Sequence, residues 1–588
     1  MDWSPETMFS ELRPGGELSA FASLTLGAEE LYQGGPEGFE VDYLHPLLLA
    51  SKAAMNKEDY PSWWAAMKGP NADDWWAAAQ TEIDTLEKIG AWEVVDYDEA
   101  YNVLPSTWAF RLKRFPDGMA RKFKGRFCIR GDKQIEGVDF DETWSPVVSW
   151  TTVRLMLILE CILQLNSMQA DVTCAFLHAE LEESEKIYCE MPLGFRRDGK
   201  ILKLKRNLYG LRQAPRNFYK YTIDQMKIIG MKQSKHDPCL FIGDTVICVT
   251  YVDDLLFWSK DDAEIDASIE SLKLLGVDLE KEGDASGYLG VKLEKDSKTG
   301  EIVMTQEGLA NRIIEGLGLS MAEATGKATP AEKAPLTKDV EGESAHRSFS
   351  YASIIGQLLY LAGHSRPDIT FAVHQAARFS FCCKRSHELA LIRIGRYLKA
   401  TSKKGMRLKP SKSLKIDCYP DADFSGLWPH EDPHDSTSVK SRTGFVITVA
   451  DCPVMWQSKL QTEIALSTME AEYVALITSC KELFPIIDIV RELGEATNFP
   501  LEQETSMHIS IHEDNSGTLV LAKLEPPRMT PRSKHYATKY HWFRERVCSP
   551  NSGIQLFKID TLNQLGDIFT KSLGRTQFEF LRKKLMGW

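Results

Sequence analysis

The segment that most constrains this chain is residues 246–260, VICVTYVDDLLFWSK. Two adjacent carboxylates, Asp253 and Asp254, interrupt a run that is otherwise apolar. An unpaired buried carboxylate costs several kcal/mol at roughly the least, so buried charge is paired or binds a cation. The flanks VICVTYV and LLFW are β-branched and aromatic, which predicts two strands of a hairpin with the aspartates at the turn. Aspartate is also an ordinary turn residue. Taken alone, the pair is explained equally by a turn and by a bound ion.

A third acid changes the weighing. Asp171 lies in a second apolar strand pattern, MQADVTCAFLH. Three carboxylates from two hairpin-forming regions can hold two Mg²⁺ ions about 3.5–4 Å apart, because Mg²⁺ uses few protein carboxylates and completes its shell with water and phosphate. Two basic blocks accompany them. Residues 110–133 carry nine Lys or Arg against two Asp, and residues 203–220 are purely basic with Tyr209, Phe218 and Tyr219 interleaved. Cations among aromatics suit a nucleotide or strand-binding groove, although a solvated basic face has the same composition.

The C-terminal third repeats the acid pattern. KIDCYPDADFSG is a strand carrying Asp421, LSTMEAEYVAL a helix start carrying Glu470 and Glu472, HISIHEDNSGTLVLA a strand ending at Asp514, and DTLNQLGDIFTKSL a helix opening at Asp567. Four acids at strand ends and helix starts suit a second two-metal site, for phosphodiester hydrolysis. Glu470 and Glu472 point roughly 200° apart on one helix, so they cannot both face it, and Glu470 reads as a solvated or capping acid. Asp423 is set aside as alternating off the face of Asp421.

Composition bounds the remaining readings. The 588 residues suffice for three or four domains, and 43% hydrophobic content suits packed cores. A net charge of −13 excludes a protein that coats nucleic acid over its whole surface, but not a basic cleft. The twelve cysteines form no CxxC pair, so no zinc finger is expected, and such scattered cysteines suit a reduced, intracellular protein. No run of eighteen apolar residues predicts a membrane span, and the polar, acidic start predicts no secretion signal.

Periodicity predicts helices over residues 73–90 and 149–165, and a linker rich in Ala, Pro, Lys and Glu over 321–348. Two helical patterns follow, YASIIGQLLYLAG and HELALIRIGRYLKAT, and a new domain is expected near Leu414.

The ordered motifs ADVTCAFLHAELEESEKIYCEMPLGF, LKLKRNLYGLRQAPRNFY and TYVDDLLF together resemble the copia-type LTR retrotransposon reverse transcriptase with its ribonuclease H. KGRFCIRGDKQIEGVDFDETWSPVVSWTTVRLML and YASIIGQLLYLAGHSRPDITFAV extend the resemblance, which covers roughly residues 75–588. It implies an α+β multidomain chain: a right-hand polymerase of fingers, palm and thumb, then a ribonuclease H-like α/β domain with a mixed five-stranded sheet. The expected divisions are 1–72, disordered or linker-like; 73–320, fingers and palm; 321–410, linker plus helical thumb or connection; and 411–588, ribonuclease H-like.

The resemblance also implies roles. Asp171, Asp253 and Asp254 look like the palm metal triad, and Asp421, Glu472, Asp514 and Asp567 look like the ribonuclease H set. Phe176 sits where the family places the aromatic that stacks under the incoming sugar and excludes a 2′-hydroxyl, with an ordinary core phenylalanine as the alternative. Tyr209 and Gly210 resemble the turn beside nucleotide and template, and Lys113, Lys124 and Arg126 are the triphosphate candidates. YLGVKL resembles the primer-gripping hairpin. Arg212, Arg216, Arg532, Lys534 and His535 are the nucleic-acid candidates, with a structural His535 weighed beside a role in product release. Mg²⁺ or Mn²⁺, two ions per site, is the implied cofactor. RNA template, DNA primer, RNA–DNA hybrid and dNTPs are the implied partners, with an integrase or gag product of the same element and no membrane. The implied location is cytoplasmic, in a virus-like particle, and nuclear.

Three departures stand out: Pro420 where the family commonly has Ser, Gly566 where Ala is usual, and DVTCAFLHAE against the usual DVKTAFLNG. None removes an acid. No zinc knuckle, Asp-Thr/Ser-Gly protease motif or HHCC arrangement is found, so the chain is expected to be the C-terminal part of a pol polyprotein or a truncated reading frame. The rival reading is a decayed or host-co-opted remnant that binds nucleic acid without turnover.

Overall fold

The computed structural model describes residues 59–588 apart from 115–119, 183, 284–285, 322–324, 429, 433, 500–506, 524–536 and 550–551. It is a mixed α/β architecture with several separate sheets. The linker-like expectation for 1–72 lies outside the described residues as far as 58. The described residues from 59 onward are folded. Helix Trp63–Lys68 is capped by Ser62, and its Trp63 ring stacks on Trp108 and Phe110.

Helix α1 (Ala72–Ile89) carries acids in its first turn and stops at Gly90 in the left-handed conformation, as its sequence signals predict. Strands β1 (Ser106–Arg114) and β2 (Ala120–Ile129) form a two-stranded antiparallel ribbon against α1. Helix α2 (Trp150–Leu163) starts at Ser149, whose hydroxyl accepts the Thr151 N–H at 3.2 Å. Strand β3 (Asn166–Val172), helix α3 (Ala214–Ile228), and strands β4 (Val246–Tyr251) and β5 (Asp254–Ser259) follow.

A six-stranded antiparallel sheet runs in the order Leu279–Gly283, β3, β5, β4, Leu240–Ile242, Lys232–Gln233. It divides two hydrophobic cores. Leu255 and Phe257 of β5 join the core beneath α1 and the ribbon, whereas Leu256 and Trp258 join the core that reaches the C-terminus. Side chains alternate faces along a strand, so a sheet covered on both sides reads as an unbroken apolar run. Trp258 satisfies its indole N–H by donating to Glu160 of α2 at 2.9 Å, and Lys295 pairs the same carboxylate at 2.7 Å.

YLGVKL forms a hairpin, Gly287–Tyr288 with Val291–Lys295, in a four-stranded sheet that Met406–Leu408 completes. The two predicted helical patterns form Tyr351–His364 and Arg385–Thr401. The expected linker is tied down rather than free. Described residues of it bind helix Arg385–Thr401 through His387 to the Thr337 carbonyl and Arg393 to Glu332, and reach the C-terminal region through Lys338 and Asp435.

The C-terminal sheet is five-stranded and mixed, as expected. Its order is β8 (Cys452–Leu460), β7 (Arg442–Val449), β6 (Lys415–Asp423), β9 (His508–Glu513), Ile554–Lys558. β7 runs antiparallel to both β8 and β6, and β6, β9 and Ile554–Lys558 are parallel. The long helix α4 (Thr468–Ala496) packs on β6 and β7. Among the described residues no helix is long and apolar enough to cross a membrane.

The two halves meet at α2. Arg154 is fully buried, donates to the carbonyls of Val454 and Gly363 at 2.5 Å each, and stacks over Trp456 at 4.0 Å. Burial pulls its pKa down to about 9.

Candidate active sites

The 246–260 segment is a hairpin. Tyr251 pairs with Asp254, leaving Val252 and Asp253 as the two turn residues. Val252 takes φ +55°, a conformation that strains a β-branched side chain. The turn is anchored from outside, because the Asp253 carbonyl accepts the Val172 N–H at 2.8 Å. Asp254 opens β5 directly opposite Asp171 of β3. The three acids therefore assemble at one end of the sheet. Burial first, then the charges of Asp253, Asp171 and Glu282, pushes the Asp254 carboxyl up to about 7, against a weak Gln169 hydrogen bond at 3.4 Å. This is like-charge crowding that a cation relieves, so the donor set fits a divalent metal. The trio is more open than the C-terminal clusters, whose ligand atoms close to within 4.8 Å.

Around it, Phe176 is 2% exposed and packs edge-on to Tyr209 at 5.3 Å and Phe218 at 6.2 Å. In this structure it is a core side chain. Tyr209 carries Arg126 over its ring at 4.5 Å. Gly210 has φ +95°, and a Cβ there would stand 2.1 Å from the Ile129 carbonyl, so glycine is required for the turn to lie on β2. Lys124 and Arg126 are two apart on β2 and share a face. Both act electrostatically on Glu82 of α1 and on Cys174. Lys113 lies in β1 opposite Lys122; its side chain falls outside the described residues. Arg212 donates to the Gly131 carbonyl at 2.8 Å, and Arg216 pairs with Glu142 at 2.5 Å and Glu182 at 3.3 Å. These two arginines hold the protein's own groups together. Arg532, Lys534 and His535 lie outside the described residues.

The C-terminal acids converge. Asp421 on β6, Asp514 after β9, and Asp567 on the short helix α5 (Asp567–Thr570) offer ligand atoms within 4.8 Å of one another. Glu472, Glu513 and Asp514 form a second such group. The parallel pairing of β6 and β9 ends at Cys418–Ile511, so the strands part just before Asp421. Pro420 stands beyond that point, and its missing N–H costs no bond to β9. Gln564 fills the gap, donating to the carbonyls of Pro420 at 2.9 Å and His512 at 3.1 Å. Gly566 also has a reason: a Cβ there would lie 2.7 Å from that of Asp421, so glycine lets α5 close on the acid.

Burial, then the Asp421, Glu513 and Asp514 charges, pushes Glu472 up to about 10. Burial and Asp421 raise Asp567 to about 7 against Lys571, and burial raises Asp514. Lys571 reaches Asp567 at 2.7 Å and Asp421 at 3.3 Å; burial pulls its pKa down, but these two carboxylates outweigh that and hold it up. The Oε2 atoms of Glu472 and Glu513 are buried and have no hydrogen-bond partner. A crowded carboxylate set with orphaned oxygens fits a divalent cation.

Glu470 is a capping acid, as expected: its N–H meets Ser467 Oγ at 3.2 Å and its carboxylate accepts the Leu466 N–H at 2.7 Å. The exclusion of Asp423 is corrected. Residues two apart on a strand share a face, and Asp423 is half-buried beside Asp421 and Lys571, with its carboxyl raised by burial. Sequence reasoning missed Glu513 and Lys571. Their signals were a glutamate at the inward-facing end of an apolar strand and a lysine one helical turn after Asp567.

Residues 89–333 match the family "Reverse transcriptase (RNA-dependent DNA polymerase)". The chain is 32% identical over 534 residues to a retrovirus-related Pol polyprotein from transposon TNT 1-94 of Nicotiana tabacum, covering 88% of this chain and 38% of the relative. It is 30% identical over 506 residues to that from transposon RE1 of Arabidopsis thaliana, covering 84% and 32%. The chain thus spans about a third of the length of these relatives. A putative transposon Ty5-1 protein of Saccharomyces cerevisiae is 28% identical, matched over its whole length and 53% of this chain. A foamy viral protease-reverse transcriptase in complex with dsDNA aligns at 14% identity and TM-score 0.44, covering 83% of each chain. Residues 89–333 are a copia-type reverse transcriptase region, and most of the chain is similar to part of the Pol polyproteins of such retrotransposons.

Proposed function

We propose that the chain is an RNA-directed DNA polymerase that also cleaves the RNA strand of the resulting hybrid. In this reading fingers and palm occupy 73–320, thumb or connection 321–410, and the ribonuclease H domain 411–588. The supporting observation is the direct cross-strand pairing of Asp254 with Asp171 beside the anchored Val252–Asp253 turn. Asp171, Asp253 and Asp254 would hold Mg²⁺ or Mn²⁺ at the polymerase site; Asp421, Glu472, Asp514 and Asp567 would do so at the nuclease site. When bound, such ions polarise phosphate oxygens and lower the pKa of a coordinated hydroxyl or water.

The chain's own groups do the rest. Lys124 and Arg126, two apart on β2 and so on one face, would offer positive charge to a dNTP triphosphate. Tyr209, fixed by Arg126 and packed edge-on against Phe176, would hold Arg126 in place for that contact. At the nuclease site Lys571 holds Asp421 and Asp567 together and limits their mutual repulsion. RNA template, DNA primer, hybrid and dNTPs are the proposed partners. The test is primer extension on an RNA template by Asp253→Asn, which loses synthesis while the protein remains folded; undiminished extension would show the palm assignment to be wrong.

A further inference from the structure

We propose that Glu513 is a fifth metal ligand of the C-terminal acid site, and that Glu472, Glu513 and Asp514 form one of its two cation positions. The inference rests on the ribonuclease H reading and adds a residue to it. Among the described residues the ligand atoms fall into two groups, Asp421–Asp514–Asp567 and Glu472–Glu513–Asp514, each closed to within 4.8 Å. The groups share Asp514, so one carboxylate bridges two neighbouring positions.

An independent observation points to a ligand in the second group. Glu513 is 0% exposed, yet its Oε2 has no hydrogen-bond partner; its other oxygen accepts the Asn515 N–H at 3.0 Å. Glu472, 5% exposed, has an orphaned Oε2 of its own. Buried carboxylate oxygens are almost always satisfied, and among the described residues no lysine or arginine bonds to these two. On β9 the burial alternates, so Ile509, Ile511 and Glu513 face inward. Glu513 therefore occupies a position where the strand otherwise places an apolar side chain. A carboxylate kept there with no cation bonded to it among the described residues suits a divalent ion, with oxygen ligands only.

The test titrates Mn²⁺ alone into the full-length chain, with free Mn²⁺ read by electron paramagnetic resonance, for the parent, Glu513→Gln, Glu513→Asp and Asp421→Asn. Glu513→Gln keeps the shape and removes the charge, so it is expected to melt no lower than the parent in metal-free buffer. It should lose one bound Mn²⁺ per chain or weaken that class by roughly tenfold or more. Glu513→Asp, with its charge on a shorter stem, should fall between and carries the test if the Gln variant does not fold. A Glu513→Gln isotherm superimposed on the parent's would overturn the proposal; if Asp421→Asn still loses ions, the ribonuclease site stands without its fifth ligand. If Asp421→Asn also superimposes on the parent, the ribonuclease reading itself fails.

Discussion

Asp254 and Asp171 stand directly opposite one another on neighbouring antiparallel strands, two like charges at the end of a sheet that is buried on both faces. Like charges in cross-strand positions destabilise a sheet. The arrangement is stable only if one is protonated or a cation lies between them, and this sets the first prediction. The Asp254 carboxyl, ordinarily near 3.8, is raised to about 7 by burial and by Asp253 and Asp171. A raised acid binds its proton more tightly in the folded state, so stability is full below the unfolded pKa and falls as pH rises toward 7. In metal-free buffer Asp254→Asn should flatten that fall and stabilise the protein at pH 8 by roughly 1–3 kcal/mol. Thermal melts at pH 5 and pH 8 measure it; equal pH dependence in parent and variant would count against the shared site.

Divalent metal should restore what pH removes. Asp254 and Asp567 rise to about 7 and Glu472 to about 10, so protons compete with the ion. Addition of Mg²⁺ should raise the melting temperature more at pH 8 than at pH 5.5. A chelator should reverse the gain. A shift independent of pH would contradict metal binding by these carboxylates.

Arg154 should govern the join between the halves. Its guanidinium satisfies the carbonyls of Val454 and Gly363 and lies on Trp456. Arg154→Met leaves two acceptors unsatisfied in the core, each costing roughly 1–3 kcal/mol. The expected result is a clear loss of stability, with unfolding split into two transitions in calorimetry. A single transition at the parent's temperature would show the contact to be dispensable.

Phe176 separates packing from selectivity. Its ring is buried against Tyr209 and Phe218, so Phe176→Ala should cost about 3–5 kcal/mol. If the ring also excludes a 2′-hydroxyl, Phe176→Val should incorporate rNTPs more readily relative to dNTPs, in single-nucleotide extension. Unchanged discrimination would leave it a core side chain only.

Much of this was legible in the chain because local signals and global fold agree. The Gly90 stop, the Ser149 cap and the apolar flanks of Asp253–Asp254 each state a local geometry that the structure adopts. The acids at strand ends were legible for the same reason, since charge inside an apolar pattern demands a purpose. What escaped depends on contacts far apart in sequence. Arg154 reads as one charge in an apolar helix until Val454 and Gly363 are brought to it. Residues 321–348 read as a linker because the anchors of their described part, His387 and Arg393, lie in another element. Glu513 was passed over beside Asp514, and Asp423 was lost to a misapplied strand period.

The two proposed acid sites can be told apart in one assay: primer extension on an end-labelled RNA template with Mg²⁺ and dNTPs, comparing the parent with Asp253→Asn and Asp421→Asn. The parent should extend the primer and shorten the RNA, Asp253→Asn should lose extension alone, and Asp421→Asn should lose shortening alone. A folded parent that binds the hybrid but performs neither reaction, or variants that lose neither, would contradict the two-site reading.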